Sequence, residues 1–335
     1  MGFHEFSSPY DWSRIASFKR TAKAAFGGMV DLSVGSPVDP VPDSVRKALG
    51  AASNDPNAYG YPVTAGTADL RSAIAEWFAA ARNVDLTAID ADVVPTVGSK
   101  EGVALMASLL HLGAGDVVVQ PKVSYPTYEI GTQLAGAKVL KVDDVADVES
   151  WKDVPGVKAI WVNSPCNPTG AVLAAEQMAA IVAAARGIGA VVLSDECYAL
   201  MQWENVDVEA DADTLASTPC ALRPDVCGGS AQGVLVLYSL SKQSNMAGYR
   251  TAFIAGDKSL IVPMTAYRKQ IGQIIPGPVQ AAMAVGLRDL ESVKAQRKRY
   301  ANRLGILVSA LRAYGYCTDM PDGALYVWVK AKSGD

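Results

Sequence analysis

Ser239-Leu-Ser-Lys-Gln-Ser-Asn-Met-Ala-Gly-Tyr-Arg250 follows directly on the apolar run Gly233-Val-Leu-Val-Leu-Tyr238. The run reads as a buried strand. It ends in a loop of small residues with one lysine, Lys242, and an arginine, Arg250, eight residues later. A lysine desolvated beside other cations can lose its proton and attack a carbonyl. The hydroxyls of Ser239 and Ser241, with the guanidinium of Arg250, can hold a phosphate dianion. Together these are the parts of a Schiff base between a lysine and pyridoxal phosphate. A plain alternative stands beside this reading: a polar turn after a strand, with solvated Lys and Arg.

Three more loops follow the same plan. Ala190-Val-Val-Leu-Ser194 reads as a strand that runs into Asp195-Glu-Cys-Tyr198. A carboxylate at the C-terminal end of a parallel strand sits where open α/β sheets bind ligands. There it can keep a pyridinium nitrogen protonated, with Tyr198 reaching the same ring. The alternative for Asp195 is a helix N-cap. Val157-Lys-Ala-Ile-Trp-Val162 reads as a third strand, entering Asn163-Ser-Pro-Cys-Asn-Pro-Thr-Gly170. Its prolines and glycine make a rigid loop that can hold the Asn167 amide against a ligand oxygen. Thr96-Val-Gly-Ser-Lys-Glu-Gly102 opens an apolar helical pattern and offers free N–H groups to an anion. Four loops pointing at one cofactor say more than any one of them.

On these residues the chain resembles the class I/II aminotransferases, the fold-type I pyridoxal-phosphate enzymes. The motifs are Asn-Pro-Thr-Gly at 167–170, Ser-Asp-Glu-Cys-Tyr at 194–198, and Ser-Leu-Ser-Lys with Gly-Tyr-Arg at 239–250. The resemblance runs from about Val30 to the end. It implies that Lys242 bonds the cofactor and shuttles a proton, and that Asp195 pairs with the pyridine nitrogen. It implies that Tyr198 and Asn167 hydrogen-bond the phenolic oxygen, and that Ser99, Lys100, Ser239, Ser241 and Arg250 bind phosphate. Tyr125 takes the place of the aromatic stacked on the ring. Tyr61 matches a tyrosine offered to the neighbouring subunit's phosphate in a homodimer with shared sites, and Gly35 a glycine on the substrate side.

In the segments 31–40, 61–67 and 241–250 the chain is most similar to actinobacterial succinyldiaminopimelate aminotransferases. That implies glutamate as donor and N-succinyl-2-amino-6-oxopimelate as acceptor, on the route to diaminopimelate and lysine. Other amino-acid aminotransferases and carbon–sulfur β-lyases share the same loops. In the family, the arginine that clamps the substrate carboxylate lies beyond a strand resembling Gly323–Val329. The sequence ends at Asp335, so the small domain is expected to be C-terminally short and that arginine absent. Turnover is then expected to be impaired more than cofactor binding, with Arg20 or Arg268 as possible replacement clamps. A cofactor-binding protein without turnover is the remaining alternative.

The 335 residues are half hydrophobic and 19% charged, with net charge −4. That suits a large core and a second, smaller domain. No basic block stands out beyond residues 294–303, which read as a solvated helix face, so nucleic acid is not an expected partner. Five scattered cysteines without a CxxC pair, and two histidines, argue against a metal and fit reduced thiols. No apolar run has transmembrane length and no signal peptide is visible, so a soluble cytoplasmic protein is expected.

The expected fold is α/β. Residues 1–30 form an arm that contributes to the small domain. Residues 31–265 form the large cofactor domain, a mainly parallel sheet of the seven-stranded type with helices at 68–81, 100–112, 126–135 and 174–187. Residues 266–335 form a linker helix and an incomplete α+β small domain. A long helical pattern runs from Pro263 towards residue 313, and strands are expected at 316–319 and 323–329. The stretch 207–230 reads as an irregular insertion.

Overall fold

The computed structural model describes residues 12–32, 35–203 and 218–330. They fall into two compact units, one up to Ser36 and one from Pro37 onward. In the first, a single 3-10 turn at Trp12–Ile15 leads into helix α1 (Ala16–Ala24). Its Lys19 pairs with Asp31 at 3.0 Å.

The second unit is organised by seven strands. They are β1 (Ala91–Val97), β2 (Val117–Pro121), β3 (Lys138–Val142), β4 (Val157–Asn163), β5 (Val191–Asp195), β6 (Val234–Ser239) and β7 (Thr251–Asp257). Their order across the sheet is β1-β7-β6-β5-β4-β2-β3. Only β7 runs antiparallel to its neighbours; the other pairs are parallel. Helices follow most strands: α2 (Asp43–Ser53), α3 (Ala68–Arg82), α4 (Ser99–Leu109), α5 (Thr127–Leu134), α6 (Ala175–Gly187), α7 (Pro224–Cys227), α8 (Leu240–Gln243), α9 (Lys258–Gln270), α10 (Gly277–Arg288) and α11 (Leu290–Ala313).

The apolar runs form strands because both faces of the sheet are covered. All six residues of β6 are buried. Val234, Val236 and Tyr238 join Trp77, Phe78 and Phe253 on one face. Leu235 and Leu237 join Val94, Val118, Leu193 and Met106 on the other. This is the period-two alternation of a strand. The Trp77 ring lies 4.2 Å from that of Tyr238 and 5.7 Å from that of Phe253. Each such side chain contributes about 1.5–3 kcal/mol when fully buried.

Local signals set the helix ends. Thr67 caps α3, accepting from the Leu70 N–H at 3.2 Å, and Asn83 ends it with a left-handed φ of 53°. α4 stops at Leu109 rather than 112, because His111 turns the chain at φ 57°.

The C-terminal third departs from expectation. The pattern after Pro263 is three helices, not one. α9 starts earlier, at Lys258, and carries Pro263 within it; Pro276 and Asp289 begin the next two. Asp289 caps α11 through the Ser292 N–H at 3.1 Å. Residues 316–319 and 323–329 form no strand; the stretch makes a single bridge, between Gly323 and Gln202. A strand needs a partner along its length, and among the described residues this stretch makes a bridge only at Gly323. Of the expected insertion, 207–217 lie outside the described residues, and α7 follows in the remainder.

Candidate active site

The parallel strands of this sheet deliver their C-terminal ends to one edge. There Val97 lies opposite Thr251, Ser239 opposite Ala252, Asp195 opposite Leu237, and Asn163 opposite Asp195. The turns after β1, β4, β5 and β6 and the turn before β7 therefore stand side by side. Ligands of open α/β sheets bind at this edge.

One end of the edge is cationic and open. Gly98, with φ 77°, carries the chain from β1 into α4. The Arg250 guanidinium covers it so closely that a Cβ at Gly98 would overlap Nη2 and sit 2.6 Å from Cζ. Arg250 is itself left-handed, at φ 57°, and its Nη1 donates to the Ala247 carbonyl at 2.7 Å. The buried Ser239 hydroxyl caps α8, accepting from the Ser241 N–H at 3.1 Å. It lies 2.8 Å from the Ser241 hydroxyl and 3.2 Å from the Thr251 carbonyl. Ser99 is the first residue of α4, and the Lys100 ammonium stands 5.8 Å from the centre of the Tyr125 ring.

Behind this turn Glu101 accepts from the Val97 N–H at 3.0 Å. It also takes both Arg268 amino groups, at 2.7 and 2.9 Å. The Arg268 side chain is completely buried in that pair. Arg268 is therefore committed inside the protein and is no substitute clamp for a substrate carboxylate, contrary to expectation. Arg20 lies exposed on α1, in the N-terminal unit.

The other end is buried. Asp195, the last residue of β5, accepts from the Tyr128 hydroxyl at 2.8 Å and from the Cys197 N–H at 3.1 Å. Burial pushes its carboxyl up; bonds from Tyr128 and Cys197 pull it back, and the net stays above the ordinary value. Tyr128 is fixed in turn by stacking on Trp161, 4.4 Å away and 12° from parallel. Burial and then Asp195 hold its phenol well above normal. Tyr198 presents its ring face 5.9 Å from the Lys242 ammonium. Desolvation pulls Lys242 below the usual lysine value, the direction that makes an amine nucleophilic. Its carbonyl accepts from the Tyr300 hydroxyl at 3.2 Å.

Glu196, the next residue along, points away into the core. It pairs with Arg82 at 2.7 Å, both side chains at most 1% exposed. The Ser194 hydroxyl and the Ala221 N–H donate to its other oxygen at 3.0 and 2.8 Å. Arg82 also reaches the Pro219 carbonyl at 2.9 Å and the Thr218 hydroxyl. This pair thus ties the β5 end to Thr218 and Pro219.

The loop after β4 is pinned by Asn163. Its amide donates to the Pro165 and Asp195 carbonyls at 3.2 and 2.9 Å, while its oxygen accepts from the Asn167 N–H at 2.8 Å. Asn167 is half-buried, and among the described residues its side-chain amide makes no hydrogen bond.

The structure thus brings Asn167, Asp195, Tyr198, Ser239, Ser241, Lys242 and Arg250 to one edge, with Ser99 and Lys100 beside Arg250 and Tyr125. Tyr61 stands fully exposed to solvent in the second unit, and Gly35 belongs to the first. Sequence reading missed Asn163, Tyr128 and Tyr326. Asn163 opens the quoted loop 163–170, and Tyr128 follows Tyr125 by three residues; neither is given a role there. Tyr326 carried no signal, being 128 residues from its partner, the hydroxyl of Tyr198, 2.9 Å away.

The model of the aminotransferases of class I and II matches residues 27–333. A probable aminotransferase of Mycobacterium tuberculosis is 42% identical over 95% of this chain and 72% of its own length. The 4-dedimethylamino-4-oxo-anhydrotetracycline transaminase of Streptomyces rimosus is 40% identical over 95% of this chain and 83% of its own. Among solved structures, an aminotransferase from Neisseria meningitidis superposes with a TM-score of 0.82 at 28% identity, over 98% and 83% of the two chains. N-succinyldiaminopimelate aminotransferase from M. tuberculosis gives 0.75 at 26%, over 92% and 78%.

Proposed function

This chain belongs to the class I and II aminotransferase family, which works with pyridoxal 5′-phosphate, and we propose that it moves the amino group of glutamate onto N-succinyl-2-amino-6-oxopimelate. The observation that carries the site assignment is that a desolvated lysine, in the turn after β6, and a buried carboxyl, at the end of β5, stand at the ends of neighbouring strands.

The residues fit the cofactor. The cradle at Gly98, which a Cβ would fill, and the Arg250 guanidinium over it suit a phosphate, with Ser99, Lys100 and Ser241 as further donors. Asp195 is a buried carboxyl whose protonation is favoured by its surroundings, so a cationic N–H beside it relieves that imbalance. The Asn167 amide and the Tyr198 hydroxyl suit a phenolic oxygen. When bound, the cofactor supplies a carbonyl carbon that accepts the amino group and a ring that takes up an electron pair.

The chain's own groups do the rest. Lys242, held below its usual value, would bond the cofactor carbon, and its Nζ would carry a proton to and from the substrate α-carbon. Asp195 holds a proton at the ring nitrogen as a charge-assisted bond, with Tyr128 keeping the carboxylate in place. Tyr125 would cover the ring.

Support for the acceptor comes from the loops at 31–40, 61–67 and 241–250 and from the likeness to the M. tuberculosis enzyme. The 40% identity to the tetracycline transaminase supports a second reading, in which a polycyclic ketone is the acceptor. The active unit is proposed to be a homodimer. Tyr61 and Tyr59 stand 102% and 90% exposed on one segment, an arrangement that a second copy would cover.

The test is spectroscopic. Glutamate should discharge the visible band of the holoenzyme, and N-succinyl-2-amino-6-oxopimelate should restore it faster than pyruvate, oxaloacetate or a polycyclic ketone. Restoration by the ketone alone would overturn the acceptor assignment. Release of pyruvate and ammonia from a cysteine conjugate without any acceptor would make the protein a lyase.

A further inference from the structure

The segment Pro321–Tyr326 enters the site from the C-terminal third, and it is locked there by backbone rather than by strand pairing. Gly323 N–H donates to the Gly170 carbonyl at 2.8 Å, and Ala324 N–H to the Met201 carbonyl at 2.8 Å. Trp203 answers from the other side, its N–H donating to Asp322 and its indole to the Ala324 carbonyl, both at 2.7 Å. Neither glycine at the crossing has room for a side chain. A Cβ on Gly323 would stand 2.7 Å from Pro165, and one on Gly170 2.7 Å from Pro321. The loop that carries Asn167 and the loop that follows Tyr198 therefore grip one short segment between them.

What that grip delivers is the Tyr326 hydroxyl, 2.9 Å from that of Tyr198, with the two rings edge to face at 5.9 Å. Either hydroxyl can be the donor of this bond. Each has a single hydrogen, so the choice depends on what else Tyr198 faces. Once Tyr198 turns its hydrogen towards a ligand oxygen, its own oxygen becomes an acceptor and Tyr326 must supply the hydrogen.

We propose that Tyr326 is a positioning residue: its hydroxyl donates to Tyr198, holds that ring in place, and strengthens the bond Tyr198 gives to the cofactor's phenolic oxygen. This rests on the reading above that Tyr198 faces that oxygen. Hydrogen bonds in a chain polarise one another, so a donor behind Tyr198 makes it a better donor in front. A stronger donor favours the oxygen in its anionic form. Tyr326 thereby lowers the pH at which the bound cofactor's visible band changes form.

The experiment is a spectral pH titration of the holoenzyme in four forms: unaltered, Tyr326→Phe, Tyr198→Phe and both together. Tyr198→Phe should move the midpoint to higher pH. Tyr326→Phe should move it the same way but less, by roughly half a pH unit, since a neighbour strengthens a bond by only about 10–30%. In the double variant the Tyr326 change should add nothing, because its effect passes through the Tyr198 oxygen. No shift with Tyr198→Phe would sink the reading that Tyr198 faces the cofactor. A shift there with none for Tyr326→Phe, or an equal Tyr326 shift in both backgrounds, would overturn the inference itself. So would loss of the cofactor from Tyr326→Phe, since the phosphate contacts lie on other elements.

Discussion

The two ends of the site are built by different means. At the Arg250 end, groups meet because they sit within a few residues of strand ends: Gly98 and Ser99 follow β1, Ser239 caps α8, Ser241 lies in its first turn, and Arg250 precedes β7. That end is open, and Arg250 and Lys100 are exposed. At the Asp195 end the groups come from far apart in sequence. Tyr128 and Asp195 are 67 residues apart, Tyr198 and Tyr326 128, Arg82 and Glu196 114. That end is dry. The contrast teaches that a phosphate can be held by solvated local donors, whereas a ring whose charge must be controlled needs a low-dielectric pocket, where each polar group is costly unless paired.

Lys242 stands between the two ends, and removing it has the largest expected effect. Lys242→Ala should abolish turnover, by several orders of magnitude, and leave no cofactor bonded after borohydride reduction. The phosphate should still bind through the Arg250 end. A reduced adduct surviving at another lysine would break the assignment, and with it the division into two ends.

Next in size is the buried pair beneath Asp195. Glu196→Ala leaves the Arg82 guanidinium buried without its carboxylate, and about 3–5 kcal/mol of stability should be lost. Glu101→Ala, beneath the open end, should cost roughly half as much, because the Glu101 side chain is 15% exposed and water can replace it. Denaturant unfolding of the two variants measures both. Equal losses would show that the ends do not differ in dryness.

Gly98→Ala strikes the open end alone. The residue must adopt φ 77° and displace Arg250, a strain of about 1–3 kcal/mol. The cofactor dissociation constant should rise roughly thirtyfold at an expected cost near ~2 kcal/mol, while the pH profile of the chemical step stays put. Equilibrium dialysis reports the first and stopped-flow the second.

The smallest effect isolates the dry end. Tyr128 lowers the Asp195 pKa against the upward push of burial. Tyr128→Phe should therefore raise it further. A group needed as an anion then fails sooner on acidification, so the acidic limb of kcat should move to higher pH. Cofactor affinity at pH 8 should change little. A limb displaced to lower pH would mean that Tyr128 serves packing and not the carboxyl.

The strands and loops of the Arg250 end were legible because each carries its own local mark. β6 is continuous and apolar, Ser239 caps the turn, and Gly98 sits where φ is positive. Helices α3 to α6 were legible from their apolar pattern, within a few residues at their ends. The C-terminal third was not. The pattern at 258–313 is helical throughout, and the breaks at Pro276 and Asp289 depend on how three helices pack on one sheet. The extended run at 323–329 promised a strand, yet it is held by Gly170, Met201 and Trp203 instead.

By itself the sequence determined the α/β class and the four loops, and it proposed Lys242, Asp195 and Arg250 as a set. Those features are encoded by period, by turn chemistry and by residues adjacent along the chain. Only the tertiary structure decided that Arg268 is spent on Glu101, that Tyr128 serves Asp195, and that Tyr326 stands behind Tyr198. The physical reason is that a pair of side chains across a fold has no local signature. Its meaning comes from the shared burial that makes one partner obligatory for the other, and burial is a property of the packed chain.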